Sequence, residues 1–174
     1  MRNATKVAAC ALALIGVAGV LWGFWPLPKR TWHSTFAAAD VTLRVPQTMR
    51  LGDVATATVQ FAPHEGTPLV RFEAQLVANG LVVDPEGAVS VTLASDQPAT
   101  LTWRLKGDAT GVFVGALWVY EILPDGSRIA LGSYPLHFRV QSVLGVSGRV
   151  ARWLGVFALT LLGFWLLSVY SSRF

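Results

Sequence analysis

Two stretches of this chain carry no charged residue and almost nothing polar: residues 7–25, VAACALALIGVAGVLWGFW, and residues 153–170, WLGVFALTLLGFWLLSVY. Runs of 19 and 18 residues reach the roughly 17–25 needed to cross about 30 Å of hydrocarbon as a helix. Trp22, Trp25, Trp153 and Tyr170 stand at the run ends, where amphipathic rings settle among lipid headgroups. Each run reads as a transmembrane helix, and whatever folds in water must lie between them.

The distribution of charge supports this division. The chain has 14 basic and 10 acidic residues, and every acid falls between Asp40 and Asp125. Arg2, Lys6, Lys29, Arg30, Arg149, Arg152 and Arg173 instead flank the apolar runs. Basic residues there contact anionic headgroups, each worth about 1 kcal/mol. Lys29, Arg30, Arg149 and Arg152 therefore join the rings as expected membrane-interface residues. A nucleic-acid partner would need bases clustered on a folded face, and the pattern excludes one.

Arg2 and Lys6 ahead of an apolar run also describe a secretory signal. The sequence VAAC ending at Cys10 is not a lipoprotein site, because the apolar stretch follows the cysteine. Ala37 and Ala39 form an A-x-A site, but the long basic spacer PLPKRTWHST separates it from the apolar run. A retained anchor is expected. Two retained helices place both ends of the chain on one side of the membrane and residues 36–140 on the other. Counting bases at the helix ends puts that middle part in the cytoplasm, yet segments beyond about 60 residues translocate largely regardless of charge. With the signal-like start, the expectation is a two-pass protein of the cytoplasmic (inner) membrane with an extracytoplasmic middle domain.

Within the middle the apolar period becomes two, as in half-buried strands. The inward sets are Ala55/Ala57/Val59/Phe61, Val70/Phe72/Ala74/Leu76, Val89/Val91/Leu93, Leu101/Trp103/Leu105 and Tyr134/Leu136/Phe138/Val140. Asn79-Gly80 favours a tight hairpin turn, and Pro124-Asp125-Gly126 another turn. Many short strands with no convincing helix indicate a β-sandwich. The stretch TLTWRLKGDATGVFVGALWVYEILPDG resembles the late strands of bacterial immunoglobulin-like or fibronectin-III-like modules, a resemblance covering Asp40 to Val140. It implies an immunoglobulin-like sandwich with no catalytic residues. The antibody-type cysteine pair is missing, so burial alone would stabilise it.

The expected chain is thus an all-β immunoglobulin-like sandwich flanked by two transmembrane α-helices. Its parts are a basic tail (1–6), helix (7–25), linker (26–39), sandwich (40–141), interfacial linker (142–152), helix (153–170) and tail (171–174).

Chemistry-bearing residues are few. The single cysteine, Cys10, lies in the first apolar run, so a thiolate zinc site, a c-type haem attachment and a cysteine nucleophile in the middle domain are excluded. His33 reads as interfacial. His64-Glu65 lacks the second histidine of H-E-x-x-H, and His137 falls on the polar face of its strand. No cofactor and no enzymatic activity are expected.

Two features carry the functional expectation. Ala9, Ala13, Gly16, Gly19 and Gly23 form a small-residue stripe on one face of the first helix, which lets helix backbones approach closely. Its partner is either the second helix, through Ala151, Gly155 and Gly163, or another protein. The second is GVFVGALWVYEI, apolar on both strand faces. Either it is a central strand covered on both sides, or its outer face meets a partner or the membrane. Phe113, Leu117, Trp118 and Val119 are the candidate partner-facing residues. The expected function is an accessory or structural subunit of a membrane complex, with lipid and other membrane subunits, or itself, as partners. The alternative is a free-standing surface-displayed module binding an extracellular ligand or protein.

Overall fold

The computed structural model describes residues 2–66, 69–94, 97–142 and 145–171. The chain forms two compact units: a helical pair from Met1–Pro26 with Ser142–Phe174, and a β unit, Leu27–Gln141.

The β unit is two five-stranded sheets. The first runs β1 (Lys29–Thr35), β2 (Ala39–Pro46), β4 (Val54–Pro63), β8 (Ala99–Lys106) and β6 (Val82–Asp84). The second runs β3 (Thr48–Arg50), β10 (Arg128–Gln141), β9 (Gly111–Ile122), β5 (Val70–Ala78) and β7 (Ala88–Leu93). All pairings are antiparallel except β3 on β10. Alternation puts one face of each strand inward, and Phe61, Trp103, Phe72, Leu117, Phe138 and Leu136 meet between the sheets. The Phe61 and Phe72 rings stack across that core with centroids 4.9 Å apart. Chain crossings between two such sheets are the immunoglobulin-like, fibronectin-III-like arrangement that the strand pattern implied.

The chain changes sheets at defined points. After Pro46, which has no N–H to continue a ladder, the Gln47 N–H donates to the Pro28 carbonyl and its own carbonyl accepts from Arg139 N–H. The first long strand is thereby handed from one sheet to the other. Asn79-Gly80 does form a turn, with Gly80 at φ 79°, but it does not close a hairpin. The next strand, β6, pairs with β8 in the opposite sheet. A Cβ on Gly80 would lie 2.8 Å from the Phe113 ring, so glycine serves close approach as well as the positive φ. The Pro124-Asp125-Gly126 turn does join neighbours, β9 and β10. There Asp125 Oδ1 accepts from the Ser127 N–H at 2.9 Å and hydroxyl at 2.7 Å.

The expected linker 26–39 is largely a strand. β1 pairs with β2 over seven residues, Lys29 opposite Pro46 through Thr35 opposite Asp40. Trp32 packs onto the core, giving this polar segment enough buried surface to hold the sheet edge.

In the helical unit, α1 spans Arg2–Phe24 and α2 spans Gly148–Ser171. Pro26 stops α1 because it cannot continue a helix. Ser147 caps α2, its hydroxyl accepting from Val150 N–H at 3.3 Å, so residues 148–152 of the expected interfacial linker already belong to α2. Gly148–Ser168 is long and apolar enough to cross a membrane. The apolar helix Ala9–Phe24 is shorter, about 24 Å at 1.5 Å per residue.

Candidate interaction face

The two faces of β9 differ, although both are apolar in sequence. Leu117 and Val119 are fully buried and Phe113 packs against the core. These three therefore hold the sandwich together and do not face a partner. Of the four candidates only Trp118 points outward, at 40% exposure. The outer row is instead the even positions, with Val112 and Val114 exposed beside Trp118. β9 is a central strand covered on one side only.

Strand register widens this row into a patch. Ala116 pairs with Val77 on β5 and with Pro135 on β10, and Val77 is exposed. A bulge between Ala130 and Gly132 resets β10, leaving Ser133 opposite Trp118 and His137 opposite Val114. Beyond Trp118 the patch ends in an ion pair, Arg128 Nη1 to Glu73 Oε1 at 3.2 Å. Gly115, on the inward side of β9, carries no side chain because a Cβ there would run into the Val77 carbonyl and Ala78. Outer faces of antiparallel sheets are usually polar, and a valine row ending in a tryptophan departs from that. Tryptophan is over-represented among residues that dominate protein interfaces.

The helical stripe meets α2. A Cβ on Gly16 would touch Leu159, and one on Gly23 would collide with Arg152. On Gly19 it would lie 3.0 Å from Gly155 Cα. Successive α1 positions meet earlier α2 positions, so the helices are antiparallel. Ala9 and Ala13 are half-buried on the same helix, while Gly163 has open space beside it and takes no part. Arg152, expected among headgroups, donates from Nη1 to the Gly23 carbonyl at 3.1 Å and lies over the Phe24 ring. It fills an acceptor left over at the α1 terminus.

Trp22 is half-buried, whereas Trp25, Arg149 and Trp153 are exposed on the helical unit. The Tyr170 side chain lies outside the described residues. Lys29 and Arg30 belong to β1, with Arg30 stacked over Trp32 at 4.7 Å. The histidines sit apart: His33 Nδ1 is 3.1 Å from Thr42 Oγ1, and His64 Nε2 is 3.4 Å from Asp40. Among the described residues no three His, Cys, Asp or Glu side chains are grouped to hold a metal ion.

No protein-family model matches the chain and no curated protein matches it. Solved sandwiches do resemble it at low identity. E. coli alpha-2-macroglobulin is 18% identical over 61% of this chain, with a TM-score of 0.48, and the match spans 7% of that much longer protein. A chain of the zinc 2-glycoprotein complex with prolactin-inducible protein from human seminal plasma is 16% identical, covering 65% of this chain and 93% of its own, with a TM-score of 0.45. The CARDB domain of a Pyrococcus furiosus protein is 16% identical, covering 62% and 93%, with a TM-score of 0.42.

Proposed function

We propose that this chain is a non-enzymatic, double-anchored protein of the cytoplasmic membrane that presents its immunoglobulin-like sandwich outside the cell membrane to a protein partner. Its role is that of an accessory or structural subunit of a membrane assembly. The observation that carries this reading is the exposed row Val112, Val114 and Trp118, extended by Val77, on the outer face of a central strand. Desolvating such a row returns about 25 cal/mol per Å² of apolar area, and the cost of leaving it in water suits a face that is covered in an assembly.

The helices support anchoring. α2 meets the length and hydropathy needed for a span. All of α1, at 23 residues, rises about 35 Å. Retention of the first segment fits the fold, because a cut after Ala39 would remove β1 from its sheet.

The test is purification of the tagged full-length protein from native membranes, as wild type and as Val112→Ser/Val114→Ser/Trp118→Ser. The expected result is loss of a stoichiometric co-purifying subunit from the variant, with its sandwich still folded by circular dichroism. Identical subunit composition in both preparations would remove the face from the account.

A further inference from the structure

A second feature lies round the edge of the same sheet. Because β3 covers only Arg139 to Gln141 of β10, the earlier part of β10 leaves a cleft against β1 and the end of β2. The cleft encloses about 300 Å³, and its lining includes Arg30, Trp32, Gln47, Thr48, His137 and Arg139. No Asp or Glu lines it. Ion pairs at His64–Asp40, Lys106–Asp108 and Arg128–Glu73 lie elsewhere. Two arginines and a histidine thus line the cleft without a carboxylate. The Arg30 guanidinium lies over the Trp32 ring, 4.7 Å from its centroid. Stacking holds it in place while its N–H edge stays free to donate.

We infer that this cleft binds a phosphate group. Guanidinium forks match phosphate oxygens in bidentate fashion, and the Gln47 amide and Thr48 hydroxyl add neutral donors. That is more donors than the two oxygens of a carboxylate use, and a tetrahedral phosphate has oxygens for them. The phosphate belongs either to the headgroup of an anionic lipid or to free phosphate. The lipid source rests on the two-anchor reading above; the free-phosphate source does not.

The experiment uses the full-length chain in neutral detergent, with Arg30→Gln/Arg139→Gln and, as a control of equal charge, Arg44→Gln/Arg104→Gln on the outer face of the other sheet. Native mass spectrometry compares retention of phosphatidylglycerol with phosphatidylcholine, and tryptophan fluorescence follows a titration with inorganic phosphate. Expected is preferential retention of phosphatidylglycerol by the wild type and the control, weakened roughly 30-fold in Arg30→Gln/Arg139→Gln by loss of two headgroup contacts. A fluorescence response to millimolar inorganic phosphate, lost in the same variant, assigns the site to free phosphate. Equal retention of both lipids by the wild type with no phosphate response overturns the proposal. So does equal weakening in the control, which would mean bulk charge alone. Because the wild type's own lipid preference is read separately, a misfolded variant does not shield the inference.

Discussion

Gly19 of α1 and Gly155 of α2 meet backbone to backbone: a Cβ on Gly155 would lie 2.7 Å from Val20 N and 3.0 Å from the Gly16 carbonyl oxygen and from the Gly19 carbonyl carbon. Neither helix tolerates a side chain at this crossing. Where lipid supplies no hydrophobic drive between helices, such close approach is a main source of their association.

Gly19→Leu/Gly23→Leu should therefore separate α1 from α2 without impairing insertion, since leucine partitions into lipid better than glycine. The expected loss is about 1–2 kcal/mol of helix association, read as a lower thermal midpoint in detergent. Gly163→Leu, at a position with open space beside it, should leave the midpoint unchanged. An unchanged midpoint in the double variant would mean the stripe is composition only.

Gly115→Ala should strain the β5–β9 pairing, because the new methyl meets the backbone of Val77 and Ala78. Overpacking of this kind costs about 1–3 kcal/mol. Gly132→Ala is the matched comparison, with its nearest neighbour, the Phe36 ring, at 3.8 Å, and should be tolerated. Urea denaturation followed by tryptophan fluorescence separates the two, and equal midpoints would contradict the packing described.

Much of the sandwich could be read from sequence because burial on one face leaves a period of two. Leu101/Trp103/Leu105 and Leu136/Phe138/Val140 show it plainly, and they are buried. β1 could not be read that way: KRTWHST offers one large apolar side chain, and its basic residues look like a membrane border. Nor could the sheet assignment of β6, since a turn dipeptide fixes local φ but not which sheet the next strand joins. β9 was ambiguous for a different reason. Its two apolar faces are alike in composition, and only the placement of the opposite sheet decides that Leu117 is core and Trp118 is surface. The small stripe was legible from spacing, but its partner required the position of Gly155.

Asp125 should titrate below the ordinary aspartate value of 3.8, chiefly because the Ser127 side chain and then its backbone N–H donate to the carboxylate. A folded pKa below the unfolded one means that the contribution to stability is present above pH 3.8 and is lost as pH falls through the folded value. Ser127→Ala removes the larger cause and should move the midpoint upward, measurable by NMR of the Asp125 carboxyl carbon. A midpoint that does not move would show that the hydroxyl is not bonded in solution.

Membrane sidedness can be read from one thiol. With Cys10, the only cysteine, changed to serine, Glu86→Cys places a single exposed label on the sandwich. A membrane-impermeant maleimide should modify it in intact spheroplasts. Labelling only after lysis would place the sandwich in the cytoplasm, as the count of flanking bases suggests.

The most direct test of the account places a photoactivatable benzoylphenylalanine at Val114, on the exposed row of β9, and separately at Arg104, on the outer face of the other sheet, in protein expressed in its native membrane. If the Val112–Trp118 face is the docking surface of an assembly, irradiation yields one discrete adduct of reproducible mass from Val114 and none from Arg104. No adduct at Val114, or the same adduct pattern from both positions, would contradict it.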